Sequence, residues 1–188
     1  MWKNKVKFGL KNVHVWPIIS AELDTVTYGD VIPLKGAVEL SLKAEGENNP
    51  FYADDGVYYD EFSNGGYQGE LEIALIPVEY ETEVLGYIKD TNGAIVESKD
   101  GKGKNYAIAF QFDGDVNQTR HILYNCVSSR PDIVGQTKGE KTEPTTDKLT
   151  IKAMPSTDTG YVKAKLEKEM TGYDTFFTTP YKVTEGDL

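Results

Sequence analysis

Few residues in this chain of 188 have the types and spacing that chemistry requires. Nucleophilic catalysis needs a nucleophile, a base and a group that orients the base. The chain has two histidines, His14 and His121, and one cysteine, Cys126. His121 and Cys126 are five residues apart, so on one extended strand they are expected on opposite faces, unable to cooperate without a bulge. A single cysteine excludes an intrachain disulfide and reads as a small core residue in a reducing compartment. Asp113, Asp115 and Asn117 have the spacing that opens a calcium loop, but Gln118 stands where that loop needs glycine and Tyr124 where it needs glutamate. Asp113-Gly114-Asp115 is better read as a hairpin turn. The paired acids Asp54/Asp55 and Asp60/Glu61 are of the type that glycoside hydrolysis uses, yet that reaction needs them facing each other across a cleft. Interleaved with aromatic side chains, they also suit sugar binding. Gly101-Lys102-Gly103-Lys104 lacks the spacing and the Ser or Thr of a phosphate loop and reads as a basic turn. No cofactor, metal or catalytic set is expected, and the chain reads as a non-enzyme.

The elements around these residues are mostly strands. Period-two alternation places Val38, Leu40 and Leu42 on one face against Glu39, Ser41 and Lys43 on the other. The same pattern recurs around Val6 to Val15, Tyr67 to Leu75, Tyr106 to Phe112, Ile122 to Cys126, Leu149 to Ala153 and Tyr161 to Lys165. Several such strands separated by turn signals predict a β-sandwich or barrel. Twelve Tyr and seven Phe agree with this, since aromatic side chains pack across neighbouring strands. One short helix is predicted over about residues 77–86. Pro77 suits its first position, Glu79, Glu81 and Glu83 suit the N-terminal end of its dipole, and Gly86 suits its end. The expectation is a mainly β protein of two packed antiparallel sheets with one flanking helix, forming a single domain over residues 1–188.

Two connections are long. The segment from Gly135 to Asp147 is rich in Gly, Lys, Glu and Thr and reads as a solvated flexible loop. The segment from Glu45 to Gly66 reads as a long loop, uncommon inside a compact domain unless functional or disordered. It carries Phe51, Tyr52, Val57, Tyr58, Tyr59 and Phe62, too many apolar groups for plain disorder. A neighbouring subunit is the natural surface for them.

The charge pattern points the same way. The formal net charge of −10 argues against a nucleic-acid binder, which would neutralise phosphate with clustered Lys and Arg. From Ala44 to Ile88 there is no Lys or Arg. Basic residues collect at Lys3, Lys5, Lys7 and Lys11, at Lys99, Lys102 and Lys104, and after Arg120. Such asymmetry suits head-to-tail association of copies, acidic patch on basic patch. It also suits acids that merely solvate one loop and one helix face. No run of apolar residues is long enough for a membrane helix, and the N-terminus lacks the apolar core of a secretory signal, so a cytoplasmic origin is expected.

Three stretches carry a family likeness: the opening strand from Trp2 to Val15, the Phe51-Tyr52-Ala53-Asp54-Asp55-Gly56 segment, and the Gly69-Glu70-Leu71-Glu72-Ile73 strand before the Glu-rich helix. Together they resemble the major tail protein, or tail tube protein, of long-tailed siphovirus phages of Gram-positive bacteria. The resemblance implies a virion structural protein made in the bacterial cytoplasm. It implies six-membered rings stacked into a tube, partners such as the tape measure and tail terminator, and DNA passing through the lumen without specific binding. It supplies no catalytic residue. Phe51, Tyr52, Asp54, Asp55, Tyr58, Tyr59 and Phe62 are then the candidate assembly interface. The alternative is a carbohydrate-binding β-sandwich module of a phage baseplate or cell surface.

Overall fold

Strands form where β-branched and aromatic residues alternate with polar ones, because each strand then buries one face and wets the other. The computed structural model describes residues 8–22, 25–135, 137 and 144–184. In chain order its strands are β1 (Leu10–Glu22), β2 (Thr25–Tyr28), β3 (Ile32–Pro33), β4 (Ala37–Glu45), β5 (Phe51–Ala53), β6 (Gly56–Tyr59) and β7 (Gly66–Ile73). The helix α1 (Val78–Glu83) follows, then β8 (Ile88–Lys89), β9 (Ile95–Val96), β10 (Tyr106–Phe112), β11 (Arg120–Ser128), β12 (Asp147–Met154) and β13 (Lys163–Leu166). The architecture is mainly β, with two packed antiparallel sheets and a single short helix. Lys3, Lys5, Lys7, the start of the Trp2 strand and most of the Gly135–Asp147 connection lie outside the described residues.

The main ladder runs β2-β1-β10-β11-β12-β7-β4, with β3 added to β1 and β13 to β11. It folds over on itself, so that β4 comes back alongside β1. Val13, Val15, Leu71, Ile73, Ile108, Leu149 and Ile151 fill the space between the layers. Tyr80 and Val84 of the helix segment close one side of it. The helix is shorter than the predicted 77–86: Pro77 caps it from an extended conformation, and its last turn ends in left-handed Gly86 (φ 77°). A Cβ on Gly86 would lie 2.4 Å from the Lys102 carbonyl oxygen, so both conformation and space require glycine there.

The alternation in β10 has a second meaning. Tyr106, Ile108 and Phe110 face the main core, while Ala107 and Ala109 face a second cluster with Trp16, Ile122, Tyr124, Leu166, Tyr173 and Phe176. The turn-rich segment after β13 covers this face, so β10 is buried on both sides, where alternation alone predicts one wetted face. The small Ala side chains leave the room that Tyr173 and Phe176 occupy. Arg120 fixes the covering segment, its guanidinium 3.7 Å from the Tyr173 ring centroid and 4.7 Å from that of Phe177.

A bulge in β11 corrects the expectation for His121 and Cys126. Ile108 pairs with Leu123 but Tyr106 pairs with Cys126, so β11 holds one extra residue there and the facing of its side chains reverses. His121 stacks on Phe110 at 5.2 Å and Cys126 is buried in the same core, both on one side of the strand. They remain separated by five residues of extended chain, roughly 16 Å. Burial pushes the Cys126 thiol far up, away from a reactive thiolate. Asp115 accepts from the backbone N–H groups of Asn117 (3.1 Å) and Thr119 (2.9 Å), so the connection between β10 and β11 extends past the Asp113-Gly114-Asp115 turn read from the sequence and is held by a side chain.

Three hydroxyls form a buried polar cluster: Tyr80 and Tyr106 meet Ser128 Oγ at 2.7 and 2.5 Å. Burial pushes the Tyr80 phenol up to about 12 and that of Tyr106 well above its ordinary value, against the pull of the Ser128 hydrogen bonds. Folding therefore favours the neutral phenols. Their contribution is fully present below the unfolded value of 10.0 and is lost as pH rises through about 12. Urea midpoints are expected to hold level up to pH 10 and then fall toward pH 12, with a shallower fall in Tyr80→Phe. An equally steep fall in that variant would contradict the assignment.

Candidate functional site: an acidic aromatic arm

The Glu45–Gly66 segment, read from the sequence as a long loop, is a β-hairpin that continues the β4–β7 ladder. The physical reason lies in the register. Glu45 pairs with Gly66 at the end of the main sheet, and beyond it the two strands keep pairing after a one-residue shift that brings Asn48 opposite Phe62. Gly65 N–H donates to Glu45 O (2.8 Å), Ser63 N–H to Glu47 O (2.9 Å) and Asn49 N–H to Glu61 O (3.1 Å), with Asn48 bridged to Phe62. β5 and β6 complete the ladder, Phe51 opposite Tyr59 and Ala53 opposite Gly56. Asp54 (φ 51°) and Asp55 (φ 61°) turn the chain at the tip. Two consecutive left-handed residues make the hairpin turn whose twist matches the strands, and Asp is among the few residues besides Gly and Asn that tolerate that region.

The root of this arm is built for close backbone approach. A Cβ on Gly46 would lie 2.1 Å from Ser63 O, and one on Gly66 (φ 96°) would lie 2.0 Å from Ala153 O. Any side chain at either position would part the ladder from the sheet.

The structure brings every candidate interface residue of the sequence onto this one hairpin. Phe51 and Tyr52 lie on β5, Tyr58 and Tyr59 on β6, Asp54 and Asp55 at the tip, and Phe62 on the stalk. The register shifts so that Tyr58 is the extra residue on β6, and its ring packs edge-on to Phe51 at 6.5 Å. Apart from that contact the apolar groups stand in solvent: Phe51, Tyr52, Val57, Tyr58, Tyr59 and Phe62 are between 56% and 75% exposed. Burying one such side chain fully contributes about 1.5–3 kcal/mol, so the arm forgoes most of that gain in a lone copy. A two-stranded hairpin without a packed face is at best marginally stable.

Its electrostatics are one-sided. Glu45, Glu47, Asp54, Asp55, Asp60 and Glu61 supply carboxylates, and no Lys or Arg lies between Ala44 and Ile88. Tyr59 hydroxyl donates to Glu61 (2.9 Å) and the Asn48 amide to Asp60 (3.4 Å). Among the described residues no ion pair involves the arm. Asp54/Asp55 and Asp60/Glu61 therefore sit on a convex exposed hairpin rather than across a cleft. Among the described residues no group of three or more His, Cys, Asp or Glu is placed to hold a metal ion.

No family model and no curated protein matches this chain.

The pairing of the arm escaped the sequence because its strands are short and its Gly, Pro and Asn content masks alternation. The signal that could have found it is Asp54-Asp55-Gly56 between two aromatic runs, a hairpin turn signature. Brief digestion of dilute protein with chymotrypsin is expected to cut first between Phe51 and Phe62, leaving the sandwich whole. First cuts inside β10, β11 or β12 would contradict an arm that stands clear of the core.

Proposed function

We propose that this chain is a structural subunit that assembles with its own copies into rings and a tube, in the manner of a phage tail tube, with the arm as an assembly contact. One observation carries the reading: an ordered hairpin holds six large apolar side chains away from any cover that its own chain provides. Exposed apolar patches of this kind mark interaction sites. The purely acidic charge of the arm adds direction, because it repels its own kind and favours a partner surface that carries Lys. Free strand edges supply a second means of closing a ring by backbone pairing. A net charge of −10 agrees with a conduit past which DNA slides without adhering. The reading assigns no reaction and no cofactor to the chain.

Negative-stain microscopy of the purified protein over a range of concentrations tests the proposal. Rings or tubes are expected, and a strictly monomeric species under every condition, partner proteins included, would overturn it. Asp54→Asn combined with Asp55→Asn, which removes both charges but keeps side chains that tolerate the left-handed turn, is expected to impair assembly at low salt while leaving the unfolding free energy within about 0.5 kcal/mol of the parent. Unchanged tube yield at low salt would remove the arm tip as an electrostatic contact. Retention on cell-wall glycan that is lost on Tyr58→Ala with Tyr59→Ala would favour a sugar-binding module instead.

A further inference from the structure

A surface on the body of the protein has the shape and charge that the arm lacks. Between β4 and the β10–β11 hairpin the sandwich gapes into a groove of about 280 Å³. Its apolar walls are Leu40 and Leu42 on one side and Phe110 and Phe112 on the other, with Leu123 behind them. Leu40, Leu42 and Phe112 are only partly buried against the core, so the groove is an unfinished edge of that core. Phe110 and Phe112 stand edge-on at 5.8 Å, and His121 stacks flat on Phe110, giving an aromatic wall.

The rim is basic. Lys163 lines the groove, its ammonium 4.6 Å from the Tyr67 ring centroid. Lys165 lies two residues along β13, on the same side of the strand, and pairs in register with His121. Both lysines are exposed, and among the described residues neither is in an ion pair.

We infer that this groove receives the arm of a second copy, aromatic side chains against Leu40, Leu42, Phe110 and Phe112, and arm carboxylates against Lys163 and Lys165. The inference rests on the self-assembly reading and names its contact. The complementarity is specific: one surface offers apolar groups with acids only, and the other offers an apolar cleft with lysines on its rim. The chain's own arm cannot fill the cleft. Phe51 lies nine residues beyond Leu42 along a ladder that runs on from β4, roughly 30 Å away. An arm of that reach spans to a neighbour, and its insertion completes the core edge that Leu40 and Leu42 leave open. Because donor and acceptor surfaces differ, the contact is head-to-tail and propagates from copy to copy.

Charge reversal with rescue tests the contact, read by sedimentation and microscopy of the full chain. Lys163→Glu with Lys165→Glu is expected to lower the yield of assembled protein at least about tenfold, as does Asp60→Lys with Glu61→Lys. All four changes together are expected to restore it. Rescue does not depend on how the single sets fold in isolation, since a misfolded subunit would not be recovered by opposite charge elsewhere. A second measurement mixes Tyr58→Cys copies with Lys163→Cys copies under a short bifunctional maleimide, with buried Cys126 as the internal background. A mixed dimer is expected. If the parent forms rings or tubes but neither rescue nor the mixed cross-link occurs, the groove is not the receptor and self-assembly stands. If the parent never assembles, both readings fall together.

Discussion

The β4–β7 ladder runs past the end of the core that supports it. Up to Glu45 and Gly66 its inner side chains share a core with Val13, Ile108 and Ile151; beyond that point its large apolar side chains are exposed among the described residues. Backbone pairing continues nevertheless, held by Glu45, Glu47 and Asn49 on one strand and Glu61, Ser63 and Gly65 on the other. Hydrogen bonds alone add little net stability, typically about 1 kcal/mol each, so such an extension normally frays unless packing supports it. Its persistence with large aromatic side chains on it is the constraint around which the functional reading turns.

The body of the protein is organised to tolerate that extension. Its central strands are buried on both faces, by the helix and opposing sheet on one side and by the segment around Tyr173 and Phe176 on the other. Arg120 ties that covering segment to β11 through aromatic faces. Stability is thus concentrated in β10 and β11, away from β4, which has β7 as its only hydrogen-bonded strand neighbour in the described sheet. The strand that roots the arm is also the wall of the groove. One strand thus serves both surfaces: Leu40 and Leu42 line the groove, and Glu45 ends the strand where the arm begins.

Most of the strands were legible in the chain itself. Where one face is core and the other water, as in β4, β7 and β12, alternation identifies the strand and its inward residues directly. β10 was legible as a strand but not as a doubly buried one, because Ala107 and Ala109 carry no signal that distant Tyr173 and Phe176 will cover them. The β11 bulge was invisible for a related reason: register is settled by the partner strand, so His121 and Cys126 come to one side only once Tyr106 and Ile108 fix the pairing. The candidate residues of the arm were found by composition and absence of Lys and Arg, while their hairpin geometry depended on pairing across the Asp54-Asp55 turn. The groove left no sequence trace, since Leu40, Phe110, His121 and Lys163 come from four different strands.

Hydrogen exchange of the arm amides from residues 47 to 63, followed in one preparation when dilute and when concentrated, reads the central claim without altering a residue. The account requires fast exchange in the dilute protein and strong protection in the concentrated one, while β10 and β11 stay protected in both. Arm exchange that is the same at both concentrations, in a sample where rings or tubes have formed, would contradict it.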